Sequence, residues 1–215
     1  MIVAKRPDVR REELIDAAEA LFLERGYEAT KVTDIIDRVG IAKGTFYYYF
    51  RSKEEILFAM ARRHWVDLEG EMRRIIDDPG TPALQKIASI LEAAIRLNRG
   101  RGSLFDTIHD TRYKALHDRL VSEGVESLVP ILVGVVEQGR KEGAFDTEHP
   151  RMAVEFLFMG SSFVSDPYVG KELSEVKIAL ADFHDRVLGA TPGTFLTIFE
   201  KVRERSRSKD IAIRK

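Results

Sequence analysis

Apolar residues recur along this chain at intervals of three and four, the spacing that places them on one face of a helix. Leu14, Ile15, Ala18, Leu21 and Phe22 make the first stripe, and Gly26 follows as its stop. Two short segments, from about Val32 to Val39 and from about Lys43 to Tyr49, flank Gly40-Ile41-Ala42. Ser52-Lys53-Glu54-Glu55 matches the capping box, in which hydroxyl and carboxylate each satisfy a free backbone N–H. It opens a long helix with Leu57, Met60, Ala61, His64, Leu68, Met72 and Ile75 on one face, ended by Asp78-Pro79-Gly80-Thr81. Leu84, Ile87, Ala88, Leu91 and Ile95 mark the next helix, which frays at about 98–102. A short helix is predicted over about 103–112 and a long one over about 116–142, kinked at Pro130. Pro150 starts a segment apolar nearly all round, a pattern that predicts burial on both sides. Val176, Leu180, Phe183 and Val187 define another helix, and Phe195, Ile198, Phe199 and Val202 the last. The predicted class is all-α: a three-helix N-terminal domain at 1–52, a larger helical domain at 53–205, and a polar tail at 206–215 expected to be disordered.

Composition narrows the possible functions. With 44% hydrophobic and 32% charged residues among 215, the chain reads as globular. No apolar run is long enough to span a membrane. The opening MIVAKRPDVRR turns charged too early for a secretory signal. The absence of cysteine excludes disulfides, thiolate metal sites and cysteine nucleophiles, and fits a cytoplasmic location. The net charge of −1 says little for nucleic-acid binding, but its distribution says more. Lys5, Arg6, Arg10 and Arg11 cluster at the start, and Lys43, Arg51 and Lys53 surround one short segment. Glu12, Glu13, Asp16 and Glu19 offset the first cluster, so a DNA-binding chain must turn them away from DNA.

The chemistry concentrates in TKVTDIIDRVGIAKGTFYYYFRSKEEIL, residues 30–57. Two short helices about a glycine-containing turn follow the helix-turn-helix plan, whose second helix enters the major groove. Ile35, Val39, Ile41, Phe46 and Phe50 can form the small core that sets the crossing; Phe46 and Phe50, one turn apart, share its buried face. Three successive tyrosines cannot all point inward, and each buried phenol would need a partner. Facing DNA, the hydroxyl can donate to a phosphate and the ring can pack on sugar or a thymine methyl. Lys43 and Lys53 can neutralise phosphates, and Gly44 permits close approach.

The stretch GIAKGTFYYYFRSKEEIL, residues 40–57, resembles the signature of the tetracycline-repressor (TetR) family: Gly, a small apolar residue, Lys-Gly-Thr, an aromatic, Tyr-x-Tyr/His-Phe, then Ser-Lys-Glu-x-Leu. The likeness covers about the first fifty residues. It implies that three helices bind DNA and a fourth leads to a ligand-binding, dimerising domain. It implies DNA contacts at Thr33, Lys43, Gly44, Thr45, Tyr47, Tyr48, Tyr49 and Lys53. Tyr48 and Lys43 are the candidates for bases, and Tyr47, Tyr49 and Lys53 for phosphates. Three positions depart from the family. Many members have Thr where Lys31 stands, which leaves Thr30 as the expected cap of the second helix. Many have Ser where Ala42 stands and Arg where Thr33 stands. The implied partners are a double-stranded DNA operator, a second copy of the chain and an unidentified small-molecule effector, with no cofactor.

The remaining residues exceed what a helix-turn-helix needs to fold, so dimerisation and ligand sensing are the expected tasks. The helices at about 152–164 and 176–188 are the dimer candidates, with Gly160-Ser161-Ser162 permitting close approach. Trp65, Phe105, His109, Arg112, Tyr113 and Phe158 are the candidate ligand-binding residues. His109, Asp110 and His117 lack any recognised metal spacing, and no metal is expected. No catalytic residues are expected: Met159-Gly160-Ser161-Ser162 is not a nucleophile elbow, and neither a P-loop nor a dinucleotide fingerprint occurs. The competing function is a helical partner-binding protein whose tyrosines form a protein interface.

Overall fold

The computed structural model describes residues 6–99, 107–108, 110–163 and 175–213. The described residues form ten α-helices and no strand: α1 (Pro7–Arg25), α2 (Val32–Val39), α3 (Lys43–Tyr49), α4 (Lys53–Ile76), α5 (Ala83–Asn98), α6 (Lys114–Ser127), α7 (Val129–Lys141), α8 (Pro150–Phe163), α9 (Glu175–Leu188) and α10 (Thr194–Ile213). A 3-10 turn, Thr111–Tyr113, precedes α6. The chain divides into two compact units, Met1–Trp65 with Gly100–Leu120, and Val66–Arg99 with Val121–Lys215. The first unit thus holds the opening half of α4 as well as α1 to α3.

In the first unit, Leu14, Ile15, Ala18, Leu21 and Phe22 of α1 are buried with Ile35, Phe46, Phe50, Ile56, Leu57 and Met60. Val39 and Ile41 lie half-buried against them. Gly26 ends α1 with φ 86°, a backbone that L side chains resist. Thr30 was the expected cap of α2, and the structure corrects this. Its buried hydroxyl lies 2.8 Å from the Gly26 carbonyl and 3.3 Å from that of Leu21, so it tidies the end of α1. The cap residue of α2 is Lys31, whose N–H donates to the Asp34 carboxylate at 2.8 Å. An acid three residues into the helix does what a lysine side chain cannot.

The second unit has its own core, with Met72, Ala83, Ile90, Leu128, Val129, Val135, Phe145, Leu157, Leu188 and Phe195 among its buried members. Lys86, 3% exposed, donates to the Ile76 carbonyl at the end of α4 and to Gln138 Oε1 of α7. Buried Asp185 accepts from the N–H groups of Gly193 and Phe195 and so seats the start of α10. The single kinked helix expected over 116–142 is two helices. α6 stops at Ser127, and Pro130 sits in the first turn of α7, where its missing N–H costs least. The helix expected to be buried on both sides is α8, and it is not. Ala153, Val154 and Leu157 are buried, whereas Met152, Phe156 and Met159 are 65%, 60% and 47% exposed. The tail expected to be disordered is helical to Ile213; no Gly or Pro interrupts the run after Thr194.

Two predictions follow from this packing. A Cβ at Gly139 would overlap the ring of Phe145 and meet Ala83 Cβ at 3.2 Å. Gly139→Ala is therefore expected to destabilise the fold by about 1–3 kcal/mol, read as a lower denaturant midpoint. Burial holds the His184 imidazole below its ordinary 6.5, against the support of the Leu180 carbonyl and the Asp185 charge. The unfolded chain then binds that proton more readily, so the contribution is complete above about pH 6.5 and lost as pH falls below it. Melting temperatures across pH 5–8 should show a smaller acid loss in His184→Asn, which cannot charge.

Candidate nucleic-acid interface

The geometry of the helix-turn-helix begins with its turn. Gly40 ends α2 in the left-handed region, φ 71° and ψ 46°, where its N–H still donates to the Ile36 carbonyl at 2.9 Å. The Ile41 N–H donates to that same carbonyl at 3.2 Å. The chain then enters α3 through Ala42, which offers no side-chain cap, and the Thr45 N–H donates to the Ala42 carbonyl at 2.9 Å.

Seven residues are too few to hold a helix alone, so packing orients α3. Phe46 is 0% and Phe50 1% exposed, with their rings 6.0 Å apart. Successive residues lie about 100° apart around a helix, so this burial turns Tyr47 and Tyr48 outward. Tyr48 is 77% exposed and Tyr47 46%. Tyr49 is half-buried against the core, and its ring meets that of Tyr48 edge-on at 4.9 Å. Lys43 is exposed, with Nζ 5.9 Å from the Tyr47 ring. Thr33 is exposed on α2, and Thr45 is half-buried. At Gly44 an added Cβ would meet nothing within 4 Å, so the fold does not require glycine there.

Lys53 is placed differently from the other candidates. Its ammonium donates to the Tyr27 carbonyl at 2.8 Å and lies 4.0 Å from the Tyr27 ring centre, tying the start of α4 to the loop after α1. The capping box beside it is displaced by one residue. The Glu55 N–H donates to Ser52 Oγ at 3.2 Å, but the Glu55 carboxylate accepts from the Arg51 N–H rather than that of Ser52. Glu54 is held below the ordinary carboxylate range, chiefly by the Ser52 hydroxyl.

The acids of α1 are absorbed within the unit. Arg63 of α4 reaches Glu12 at 3.2 Å, Asp16 at 2.6 Å and Glu19 at 2.6 Å. Arg10 pairs with Glu13 at 2.8 Å. Sequence reading left Arg63 out, although acids at positions 12, 16 and 19 form a helical stripe that asks for a cation on a facing helix. Arg38 of α2 holds Glu24 with both guanidinium nitrogens, at 2.8 and 3.1 Å.

Of the candidate ligand-binding residues, Phe105 and His109 lie outside the described residues, as does Lys5 of the N-terminal basic cluster. Trp65 is half-buried in the first unit and Phe158 half-buried in the second. Arg112 and Tyr113 come together around Glu28, whose Oε1 accepts from the Arg112 guanidinium at 2.6 Å and the Tyr113 hydroxyl at 2.9 Å. Arg112 also pulls the Asp110 carboxyl down to about 2. The rings of Tyr113 and Tyr27 meet edge-on at 5.3 Å, and burial pushes the Tyr27 phenol up. Both residues therefore belong to the surroundings of the loop after α1. Among the described residues no group of acids and histidines could hold a metal ion. None of the helices among them is long and apolar enough to cross a membrane.

A model of bacterial regulatory proteins of the tetR family matches residues 14–60. The HTH-type transcriptional repressor KstR2 of Rhodococcus jostii strain RHA1 is 31% identical over 153 residues, which cover 69% of this chain and 74% of that protein. The fatty acid metabolism regulator protein of Bacillus subtilis strain 168 is 30% identical over 141 residues, 65% of this chain and 71% of that one. Among solved structures, RolR in complex with resorcinol superposes with a TM-score of 0.63 at 23% identity, covering 90% of this chain and 94% of that one.

The open space at Gly44 makes a substitution there a test of whether the fold needs glycine. Gly44→Ala should leave the melting temperature unchanged or raise stability by up to about 1 kcal/mol, since alanine is the better helix former. A fall in melting temperature would show that the glycine serves the fold.

Proposed function

This chain belongs to the TetR family of bacterial regulatory proteins, a family of DNA-binding transcriptional regulators, and from that we propose a cytoplasmic repressor that binds a palindromic operator as a homodimer and leaves it when a small molecule binds the larger helical domain. The supporting observation is the surface of α3, where Lys43, Gly44, Tyr47 and Tyr48 stand outward from a helix anchored by Phe46 and Phe50. In this reading Thr33, Lys43, Gly44, Thr45, Tyr47, Tyr48 and Tyr49 make up the DNA face. Lys53 holds the start of α4 in place through Tyr27 and keeps its other N–H donors for a phosphate.

Two copies are needed because one short recognition helix reads few bases, and two about 34–36 Å apart read a palindrome. The proposed dimer surface is the uncovered face of α8 and α9. Met152, Phe156 and Met159 recur at helical spacing on α8; Val176 and Phe183 are exposed on α9; the rings of Phe156 and Phe183 lie 5.5 Å apart. An exposed apolar stripe of this kind is what a partner helix covers. The effector is proposed to act through α4, which begins in the first unit and ends in the second. Repression is relieved only if the effector binds the DNA-free form more tightly than the DNA-bound form. One relative of this chain bears a name that concerns fatty acid metabolism, and one structural neighbour holds resorcinol. The effector proposed here is accordingly a small organic molecule seated among apolar side chains such as Phe158.

Fluorescent duplex from the region upstream of the gene, compared with a scrambled duplex, tests the reading. The native fragment should bind more tightly, with affinity falling steeply as salt rises. Tyr48→Ala should weaken binding about tenfold or more, and Gly44→Ala should do so without loss of stability. Phe156→Glu should shift the protein to monomer and weaken binding in parallel. Binding insensitive to salt and to Tyr48→Ala would favour the protein-interface reading of the tyrosines instead.

A further inference from the structure

The side chains available for reading bases are few. Between Lys31 and Tyr49 the chain has no Asn, Gln or Glu and a single arginine, Arg38. Bidentate readout of purines uses Arg or Lys on guanine and Asn or Gln on adenine, and among the exposed groups of α3 only Lys43 is of these types. Arg38 is engaged, with two of its nitrogens on the carboxylate of Glu24. Asp34 is engaged as well, accepting from the Lys31 N–H and lying 3.5 Å from Arg25. What α3 presents outward is therefore the phenol rings of Tyr47 and Tyr48, bare Gly44, and Lys43, a flexible point charge.

A phenol ring is an apolar plate with one hydroxyl at its edge. The group in the major groove that such a plate distinguishes is the C5 methyl of thymine, because every other base feature there is a donor or an acceptor. Tyr48 is suited to this in two ways. It is the most exposed of the three tyrosines, and it is braced edge-on by Tyr49, which is itself packed against the core. A ring held in place loses little side-chain freedom on binding. Gly44, on the same short helix, adds no side chain that would hold the helix off the groove floor.

Resting on the DNA-binding reading above, we infer that this protein recognises its operator chiefly through thymine methyl groups packed on the rings of Tyr48 and Tyr47, with Tyr48 as the specificity-determining residue. The phenol hydroxyls supply phosphate contacts that carry no sequence information. The operator half-site is thymine-rich where α3 meets it. Lys43, Thr33, Thr45 and Asp37, the last exposed one turn beyond Thr33, are the other groups on these helices that could meet a base, Lys43 on guanine O6 and N7 and Asp37 by accepting from a cytosine amino group.

The test starts from duplexes that the protein itself selects from a randomised library. A selected duplex is resynthesised with deoxyuridine for thymidine, which deletes the methyl groups and keeps the pairing. The dissociation constant should rise about tenfold or more. Tyr48→Phe, which keeps the ring, should retain the thymine-over-uracil ratio; Tyr48→Ala should reduce it severalfold; Asp37→Asn should leave it unchanged. A ratio below about twofold for the unaltered protein would overturn the inference while leaving DNA binding intact. So would a ratio that survives Tyr48→Ala, or selected half-sites with no recurrent thymine. A library that yields no bound duplex, with the protein folded, would overturn the DNA-binding reading and this inference together.

Discussion

The burial of Phe46, on the seven-residue α3, and of Phe50, the residue that caps its end, is the constraint on which the proposed DNA face depends. A segment this short has no helical stability of its own, and its orientation is decided by which side chains the neighbouring helices can bury. Each ring that leaves water contributes about 1.5–3 kcal/mol. Their common face fixes where the intervening residues point. Tyr47 and Tyr48 are exposed because the two phenylalanines are not. The proposed recognition residues and the anchoring ones thus share one short stretch.

Around this helix the unit ties its parts together with charged groups. Arg63 gathers three acids of α1, Arg38 clasps Glu24, and Lys53 clasps the carbonyl of Tyr27. Most of these groups are at least partly exposed, so each pair adds little to stability. Glu19 differs, being buried with its charge against Arg63, and removing the arginine would leave that charge without its 2.6 Å partner. The larger effect is on the field. A stripe of carboxylates on α1 is partly offset inside the unit, so a chain of net charge −1 can still present exposed Lys43 beside exposed tyrosines.

Much of this was legible in the residues. Helical spacing located the elements, glycines marked the stops, and the run of tyrosines signalled an outward face. Where the reading failed, the deciding interaction lay between residues distant in sequence or depended on which of two neighbours acted. Thr30 and Asp34 are both capping types, and only the path of the loop shows that the first serves α1 and the second α2. Pro130 was read as a kink inside a helix, whereas it starts one. The pairing of Arg112 and Tyr113 with Glu28, more than eighty residues away in sequence, was likewise beyond the reach of local pattern. The apolar pattern of α8 was real, but a pattern cannot say whether the second face is covered by the same chain.

The empty space beside Gly44 has a genetic consequence. Gly44→Ala is expected to fold normally and accumulate to normal levels, since the added Cβ meets nothing within 4 Å. If the protein works as the proposed pair, such subunits would still combine with unaltered ones, and each mixed pair would carry a single competent reading head. Lesions at this position should therefore be dominant when both versions are expressed together, whereas lesions that unfold the chain, such as one at Gly139, should be recessive.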